Sequence, residues 1–244
     1  MTGLQVIPVE GLPEIEEGDD LAALIAGAVA LEDGDIVVVA QKVVSKAEGR
    51  VVALDEIEPS AAAADIAAAD GRDARQVEAV LEEAARIVRR RGGLVIAETR
   101  HGFVCASAGV DASNAPAPGQ LVLLPTDPDA SAAGVRERLR AVTGRDVGVL
   151  ITDSFGRAWR QGTTDVAIGA AGLPVLLDLS GQVDPIGYEL HATVIAVADE
   201  IAGAAELVMG KTRRIPAAVV RGLELTGEGA ARDIVMPRER DLFR

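Results

Sequence analysis

Residues 147–162 read VGVLITDSFGRAWRQG, an apolar run followed at once by charged and hydroxyl-bearing side chains. Short runs rich in Val and Ile predict buried strands, and this run predicts a strand over residues 147–152. Similar runs predict strands at residues 4–8, 35–40, 94–97, 121–124, 166–168 and 217–220. Helical spacing of apolar residues, or nearly pure Ala, predicts helices at residues 19–29, 61–69, 75–91, 132–142 and 191–209.

The order of these elements favours an α+β fold with mixed sheets and packed helices. The strands are separated irregularly, and the Gly-rich motifs do not follow one strand–helix rhythm, which argues against a doubly wound sheet. Gly144 and Gly210 stand where helix C-caps are expected. No linker composition divides the chain, so we expect one compact unit with at most two subdomains.

Composition excludes several classes of function. The chain has 244 residues, 49% of them hydrophobic, and a net charge of −14. An acidic surface repels phosphate backbones and anionic lipid, so neither a nucleic acid nor a membrane is an expected partner. No apolar run approaches the roughly 20 residues of a membrane span, and no export signal is visible at the N-terminus. The single cysteine, Cys105, excludes an internal disulfide framework. We expect a soluble cytoplasmic protein.

The polar end of the opening segment is the first candidate site. Asp153 and Ser154 follow the predicted strand, and side chains at the C-terminal edge of a buried strand are held rigidly and reach a cleft. Metal-ligating Asp residues of phosphoryl-transfer sites are often placed this way. Arg157 and Arg160, on either side of Trp159, could hold carboxylates or phosphates through paired hydrogen bonds. In the alternative interpretation, the Asp caps a following helix and the arginines pair with surface acids.

The segment 102–114, GFVCASAGVDASN, is the second candidate. Asp111, Ser113 and Asn114 are hard oxygen donors within four positions, as Mg²⁺ or Mn²⁺ beside a phosphate requires. An Asx-turn between strands explains the same residues, because Asp and Asn both bond readily to nearby backbone. Both interpretations stay open from the residues alone.

The third candidate is the lysine pair in residues 40–49, AQKVVSKAEG. Lys42 and Lys46 could meet a polyphosphate, although an i,i+4 pair is more often a solvated helix face. The segment is not a Walker A loop, because the preceding glycines are missing. Residues 210–212 read GKT, but Ala205 stands where that motif requires Gly.

Charge balance connects these segments. An acidic protein that binds an anion needs a local reversal of sign, since two unit charges 4 Å apart interact by about 4 kcal/mol at an effective dielectric of 20. Divalent metal on Asp111 and Asp153 could contribute, together with the bases Lys42, Lys46, Arg157, Arg160, Lys211, Arg213 and Arg214. The sequence gives no zinc-ligand spacing, so we expect His101 and His191 to be structural and Cys105 to be a buried small hydrophobe.

Taken together, the segments resemble the coenzyme F420-0:L-glutamate ligase family, whose coenzyme is a deazaflavin. The strings that carry the resemblance are VEGLPEIEEGDDL, DGDIVVVAQKVVSKAEGR, SAGVDASN, GVLITDSFGRAWRQGTTDVAIGAAGL and VADEIAGAAELVMGK. They run in order over essentially the whole chain. The SKAEG, GxDxSN and ITDxxGRxWR blocks are the specific ones.

The resemblance implies a GTP-dependent acid–amino-acid ligase that uses Mg²⁺ or Mn²⁺, two ions per site, with K⁺. It also implies a family-specific fold and an intertwined homodimer. In actinobacterial relatives a nitroreductase-like domain follows; we expect residues 1–244 to form a single ligase domain without it. By matching position, the nucleotide would contact Gly11, Leu12, Pro13, Glu14, Gln41, Lys42, Lys46, Asn114, Gly210 and Lys211. Asp111 and Asp153 would hold one metal ion, and Ser154 would help to hold a second. By themselves, residues 10–14 predict only a turn.

The chemistry expected from the resemblance is transfer of the GTP γ-phosphoryl to an acceptor carboxylate, followed by attack of the glutamate amine on the acyl phosphate. Asp153 would act at the transferring group, and we assign Arg157 and Arg160 to substrate carboxylates. A nucleotide-binding regulatory module without ligase activity is the alternative. The sequence does not determine the number of glutamates, their linkage, the GTP or ATP preference, or the residues that bind the deazaflavin.

Overall fold

A computed structural model describes residues 3–242 as a mixed assembly of sheets and helices. Its strands are β1 Gln5–Pro8, β2 Ile36–Ala40, β3 Val51–Ala53, β4 Ala84–Arg91, β5 Leu94–Thr99, β6 Val104–Ala106, β7 Gln120–Val122, β8 Gly148–Arg157, β9 Arg160–Ala171, β10 Leu177–Asp178, β11 Val194–Ile195 and β12 Ala217–Arg221. Its α-helices are α1 Leu21–Ala28, α2 Gln41–Ala47, α3 Ala61–Asp70, α4 Ala74–Glu83, α5 Pro128–Thr143 and α6 Val197–Met209. Short 3₁₀ turns lie at Leu54–Glu56, Ser107–Gly109, Ala231–Ile234 and Arg238–Arg240.

The central sheet has the order β1-β12-β2-β8-β9. Strands β2 and β8 run parallel, and the other neighbouring pairs in this sheet are antiparallel. The smaller sheets pair β4-β5-β6, β3-β7 and β10-β11. The predicted combination of mixed sheets and packed helices is therefore confirmed.

Alternation along the central strands builds two cores, one on each face of the sheet. On β2, Val37 and Val39 face the core that contains residues of α1 and α5, whereas Ile36 and Val38 face the core that contains α6. Because successive side chains of a strand point to opposite faces, a strand buried on both sides reads as a continuous apolar run. This explains why β2 and the first half of β8 were visible in the sequence.

The predicted helix over residues 75–91 is wrong in its second half. Helix α4 ends at Glu83, and β4 begins at the next residue and pairs with β5 in a hairpin. Gly92 and Gly93 form the two-residue connection, and both have positive φ, as a tight hairpin turn requires. The apolar spacing of the segment also fits a half-buried strand, and pairing with β5 decides between the two.

The predicted ends of other helices and strands differ less from the observed ones. The predicted helix over 191–209 begins only at Val197, and residues 194–195 form β11. The predicted strand over 147–152 continues to Arg157 and turns back into β9. Asp153 and Ser154 therefore lie inside a long hairpin, and no helix follows for Asp153 to cap. Gly144 ends α5 in the left-handed conformation with φ 71°, as predicted.

Cys105 is buried in β6, as expected, with 6% of its surface exposed. Burial, reinforced by the nearby Asp153 charge, raises the pKa of its thiol to about 12. At pH 8 the reactive thiolate fraction should fall from roughly 10⁻¹ for an ordinary thiol to roughly 10⁻⁴, since only the thiolate is nucleophilic. We therefore expect Cys105 to react with a disulfide reagent about 10³-fold more slowly in the native protein than in denaturant. Equal rates in the two conditions would contradict the placement.

Candidate functional site

A polar cleft of about 740 Å³ opens where β2 ends beside Thr152 of β8. The two strands are parallel neighbours; α2 starts directly after β2, whereas β8 continues beyond the end of β2 to Arg157. The loop after α6 and the loop after β1 complete the walls. The lining residues include Leu12, Pro13, Glu14, Gln41, Lys42, Lys46, Asn114, Thr152, Asp153, Ser154, Asp165, Glu206, Gly210, Lys211 and Arg214.

One wall of the cleft carries the positive charge. Lys42 and Lys46 reach it from α2, and Lys211 and Arg214 reach it from the loop after α6. Only 7% of Lys46 is exposed, and its ammonium forms an ion pair with the exposed carboxylate of Glu14. The interpretation of the lysine pair as a solvated helix face is therefore wrong.

The opposite charge comes from Asp153, Asp165 and Glu206. Burial raises the pKa of Asp153 to about 6; the Ser154 amide, which donates to its Oδ1 at 2.8 Å, only partly offsets this, and the Asp165 charge adds to it. Lys42 and Lys211 act in the opposite direction. Burial and Asp165 likewise raise the pKa of Glu206. Burial of these carboxylates, more than any shortage of bases, therefore makes their charged forms costly in the cleft.

Asp165 is the most enclosed of the three carboxylates, at 5% exposure. Its oxygens accept hydrogen bonds from Ser154 Oγ at 2.5 Å and from Thr152 Oγ1 at 3.2 Å. The Glu206 carboxylate makes no hydrogen bond or ion pair within residues 3–242. Sequence reasoning missed Asp165 and Glu206, because each becomes part of the site only through strand pairing or helix docking.

The Asp111 loop forms the predicted Asx-turn, and its metal-binding role stays a prediction. Asp111 Oδ1 accepts the Ser113 amide at 2.7 Å, which is the predicted Asx-turn. Its Oδ2 accepts Lys42 Nζ at 2.6 Å, so the loop is also tied to the cleft, where Asn114 lines the wall. Burial works to raise the pKa of Asp111, but the Lys42 and Ser113 hydrogen bonds outweigh it and hold the pKa below its usual range.

The remaining residues predicted to contact the nucleotide lie in the loop after β1 and at the start of α2. Leu12, Pro13 and Glu14 line the cleft next to Gly11, whose positive φ of 79° turns the chain there. Gln41 also lines it, but only 2% of the residue is exposed. Its amide donates to the Leu123 carbonyl at 3.0 Å and to Ser45 Oγ at 2.6 Å, which anchors the start of α2.

Arg157 and Arg160 lie outside the cleft of their own chain. Both are exposed at the tip of the β8–β9 hairpin, next to Trp159, and Arg157 donates to the Gln161 carbonyl at 3.2 Å. The long hairpin, which the sequence pattern did not show, carries them away from Asp153. Their assignment to substrate carboxylates stays a prediction.

The donor chemistry of the cleft suits a hard cation. Within residues 3–242 no three His, Cys, Asp or Glu side chains form a ready-made metal cluster. Asp153, Ser154 and Asp165 nevertheless line the cleft with carboxylate and hydroxyl oxygens, the donors that Mg²⁺ and Mn²⁺ prefer. None of the helices in this part of the chain has the length and apolar composition needed to cross a membrane.

A basic wall together with buried carboxylates and hydroxyls defines an enzyme-like cleft suited to an anionic ligand and a cation together. Comparison with known proteins gives the particular family. Residues 11–222 match the family described as F420-0:Gamma-glutamyl ligase. The chain belongs to this family.

Curated relatives cover the chain almost end to end. A protein of Methanopyrus kandleri is 49% identical over 253 residues, 100% of both chains. One from Archaeoglobus fulgidus is 48% identical over 242 residues, 99% of this chain and 96% of its own. One from Methanothermobacter thermautotrophicus is 45% identical over 251 residues, 99% of both. Each is named Coenzyme F420:L-glutamate ligase.

Proposed function

We propose that this protein is a GTP-dependent ligase that joins L-glutamate to the deazaflavin coenzyme F420-0 through an amide bond. Family membership and the names of its relatives support the glutamate and coenzyme substrates. The observation that carries the proposal is the meeting of Lys42 and Lys46 with Asp153 and Ser154 in one cleft. Such a cleft can place a triphosphate beside a divalent cation, as phosphoryl transfer requires.

The proposed reaction has two steps. An oxygen of the acceptor carboxylate attacks the γ-phosphorus of GTP, the bond to the β-phosphate oxygen breaks, and GDP leaves. The glutamate nitrogen then attacks the carbonyl carbon of the acyl phosphate, the carbon–oxygen bond breaks, and inorganic phosphate leaves. The first step is needed because a carboxylate oxygen is otherwise too poor a leaving group for an amine to displace.

The basic residues of the cleft would bind the triphosphate, and its carboxylates and hydroxyl would bind the cation. Lys42 and Lys46 would hold the triphosphate oxygens, and charge-assisted hydrogen bonds of this kind are about twice as strong as neutral ones. Asp111, Asp153 and Ser154 would hold Mg²⁺ or Mn²⁺, which when bound neutralises charge on the transferring phosphoryl group. Two such ions per site and a requirement for K⁺ are part of the proposal.

The ion pair between Lys42 and Asp111 could be replaced by contacts of both side chains with bound ligands. If Asp111 turns to a cation, Lys42 loses its carboxylate partner and its ammonium becomes available to a phosphate. The charge of Lys42 is then neutralised by the phosphate and the charge of Asp111 by the cation, instead of by each other. Binding of nucleotide and binding of metal should therefore strengthen each other.

We also propose that the chain forms the intertwined homodimer. Large apolar side chains are exposed on the β8–β9 hairpin and on the segment between β10 and β11: Trp159 at 80%, Ile186 at 91% and Tyr188 at 61%. A second copy would cover such surfaces. It would also place Arg157 and Arg160 against another chain, where they could reach substrate carboxylates. Sedimentation velocity tests this: a monomer at micromolar concentration would contradict it.

Glu206 is suited to the ammonium group of the incoming glutamate, because it is a carboxylate of the cleft without a hydrogen-bond or ion-pair partner in residues 3–242. We expect Glu206→Gln to raise the KM for glutamate by roughly 10-fold or more, as loss of one charge-assisted hydrogen bond does, while the KM for GTP changes little. Steady-state kinetics in each substrate measures both. An unchanged KM for glutamate would remove Glu206 from this role.

The ligase and the regulatory module differ in what they do with GTP. A ligase releases GDP only when both glutamate and acceptor are present, whereas a regulatory module binds GTP without consuming it in either case. Chromatographic measurement of GDP, with each substrate omitted in turn and Mn²⁺ present throughout, separates the two. GTP binding with no GDP release in the complete mixture would favour the regulatory module.

A further inference from the structure

Asp165 is a buried carboxylate that makes no ion pair in residues 3–242. It lies on β9 directly opposite Ser154 of β8. Its carboxylate accepts hydrogen bonds from Ser154 Oγ at 2.5 Å and from Thr152 Oγ1 at 3.2 Å. A buried charge without a counter-ion costs free energy, and two hydroxyl hydrogen bonds offset only part of that cost. A bound cation nearby would offset the cost of burying this carboxylate.

A β-bulge sets this alignment. Ile151 pairs with Gly169, but the next residue, Thr152, pairs with Ala167, so β9 has one extra residue at this point. The Ala167 amide, inside the bulge, donates to Asp199 Oδ1 of α6 at 2.9 Å. Bulges beside active sites commonly re-aim a side chain. Here the bulge sets the register that places Asp165 opposite Ser154.

Strand alternation separates this group from Asp153. Thr152 and Ser154 are two apart and share a face of β8, which Asp165 shares by cross-strand pairing, whereas Asp153 points to the other face. The charge of Asp165 nevertheless raises the pKa of both Asp153 and Glu206. The two aspartates therefore point to different faces of β8 and β9 while lining the same cleft.

We propose that Asp165 is the positioning residue for a cation held by Ser154, an inference that rests on the proposed metal-dependent function. A hydroxyl has one proton and two lone pairs, and it can ligate a cation only if the proton points away from the ion. Because the Ser154 hydroxyl donates its hydrogen bond to Asp165, the lone pairs of Ser154 Oγ are left to face the cleft. The charge of Asp165 also makes the oxygen a better donor, as carboxylates behind metal ligands do.

The affinity of the full chain for Mn²⁺ tests this proposal. It is measured from the electron paramagnetic resonance signal of the free ion, with Mn²⁺ as the only ligand added. Loss of a group that supports a metal ligand typically weakens binding by roughly 10- to 100-fold. We expect that loss in Asp165→Asn and a similar one in Ser154→Ala. The double variant should bind no more weakly than Ser154→Ala, because Asp165 acts through that hydroxyl. Asp178→Asn, the same change at an exposed aspartate, is the matched control and should bind as the unaltered chain does.

Several results would overturn the inference. They are wild-type Mn²⁺ affinity in Asp165→Asn, additive losses in the double variant, or no Mn²⁺ binding by the unaltered chain. If Asp165→Asn fails to fold, Ser154→Ala still decides, since unchanged affinity there leaves Asp165 no ligand to position. Failure of the proposed function looks different: Mn²⁺ binding would depend on Asp165 and Ser154 as expected, while no glutamate became attached to the acceptor.

Discussion

Asp153→Asn is expected to reduce glutamate-dependent GDP release by about 10³-fold, the upper range for loss of one group that stabilises a transferring centre. The amide keeps the shape of the side chain but removes the charge that would hold the metal ion. Chromatographic measurement of GDP at saturating Mn²⁺ gives the rate. Near-normal turnover would exclude Asp153 as a metal ligand.

The same substitution should leave folding intact. Burial and the Asp165 charge raise the pKa of Asp153 to about 6, so at pH 7 the folded chain holds an ionised carboxylate in an unfavourable place. An acid whose pKa is raised in the folded state lowers stability progressively as the pH rises from its usual pKa to the folded-state pKa, and the full cost is present above the folded-state pKa. Asp153→Asn should therefore unfold at an equal or higher temperature than the unaltered chain at pH 7. Loss of activity with lower stability would point to misfolding instead.

Lys46→Met is expected to weaken GTP binding by roughly 10- to 100-fold, because hydrogen bonds to charged groups contribute about 1.5–3 kcal/mol. Lys46 is the most enclosed base of the cleft, and methionine keeps much of its apolar length. Its present partner, Glu14, is largely exposed, so loss of that ion pair should cost little stability. Isothermal titration of GTP in the presence of Mg²⁺ measures the effect.

Arg138→Met is the matched control for Lys46→Met. It also removes a base that pairs with a carboxylate, here Asp20, but both partners are exposed and lie away from the polar cleft. GTP affinity should be unchanged in this variant. If Lys46→Met binds GTP as tightly as Arg138→Met does, the basic wall is not the triphosphate site.

Local sequence pattern predicted the central elements well. Strands β2, β8 and β12 are buried on both faces, and a continuous apolar run is the direct signature of that environment. Helix α5 ends where Gly144 adopts the left-handed conformation that glycine tolerates best. Much of the cleft also followed, since Lys42, Lys46, Asp153 and Ser154 all line it. The nucleotide and metal roles that the resemblance implied for them stay predictions.

Long-range pairing produced what the pattern could not show. The segment that forms β4 has apolar spacing that fits a helix, and only pairing with β5 makes it a strand. Asp165 comes opposite Ser154 because β8 continues into a hairpin, and a bulge sets that register. Arg157 and Arg160 are close to Asp153 in sequence, yet the extended hairpin carries them to its exposed tip. In each case a partner strand decided the outcome.

Ligase activity is tested most directly by the intact mass of the deazaflavin acceptor after incubation with this protein, GTP, Mn²⁺ and L-glutamate. We predict that the acceptor gains one or more whole glutamyl units, one GDP appearing for each unit, with no gain when GTP is omitted. An acceptor whose mass is unchanged in the complete mixture, or one that gains glutamate equally without nucleotide, would contradict it.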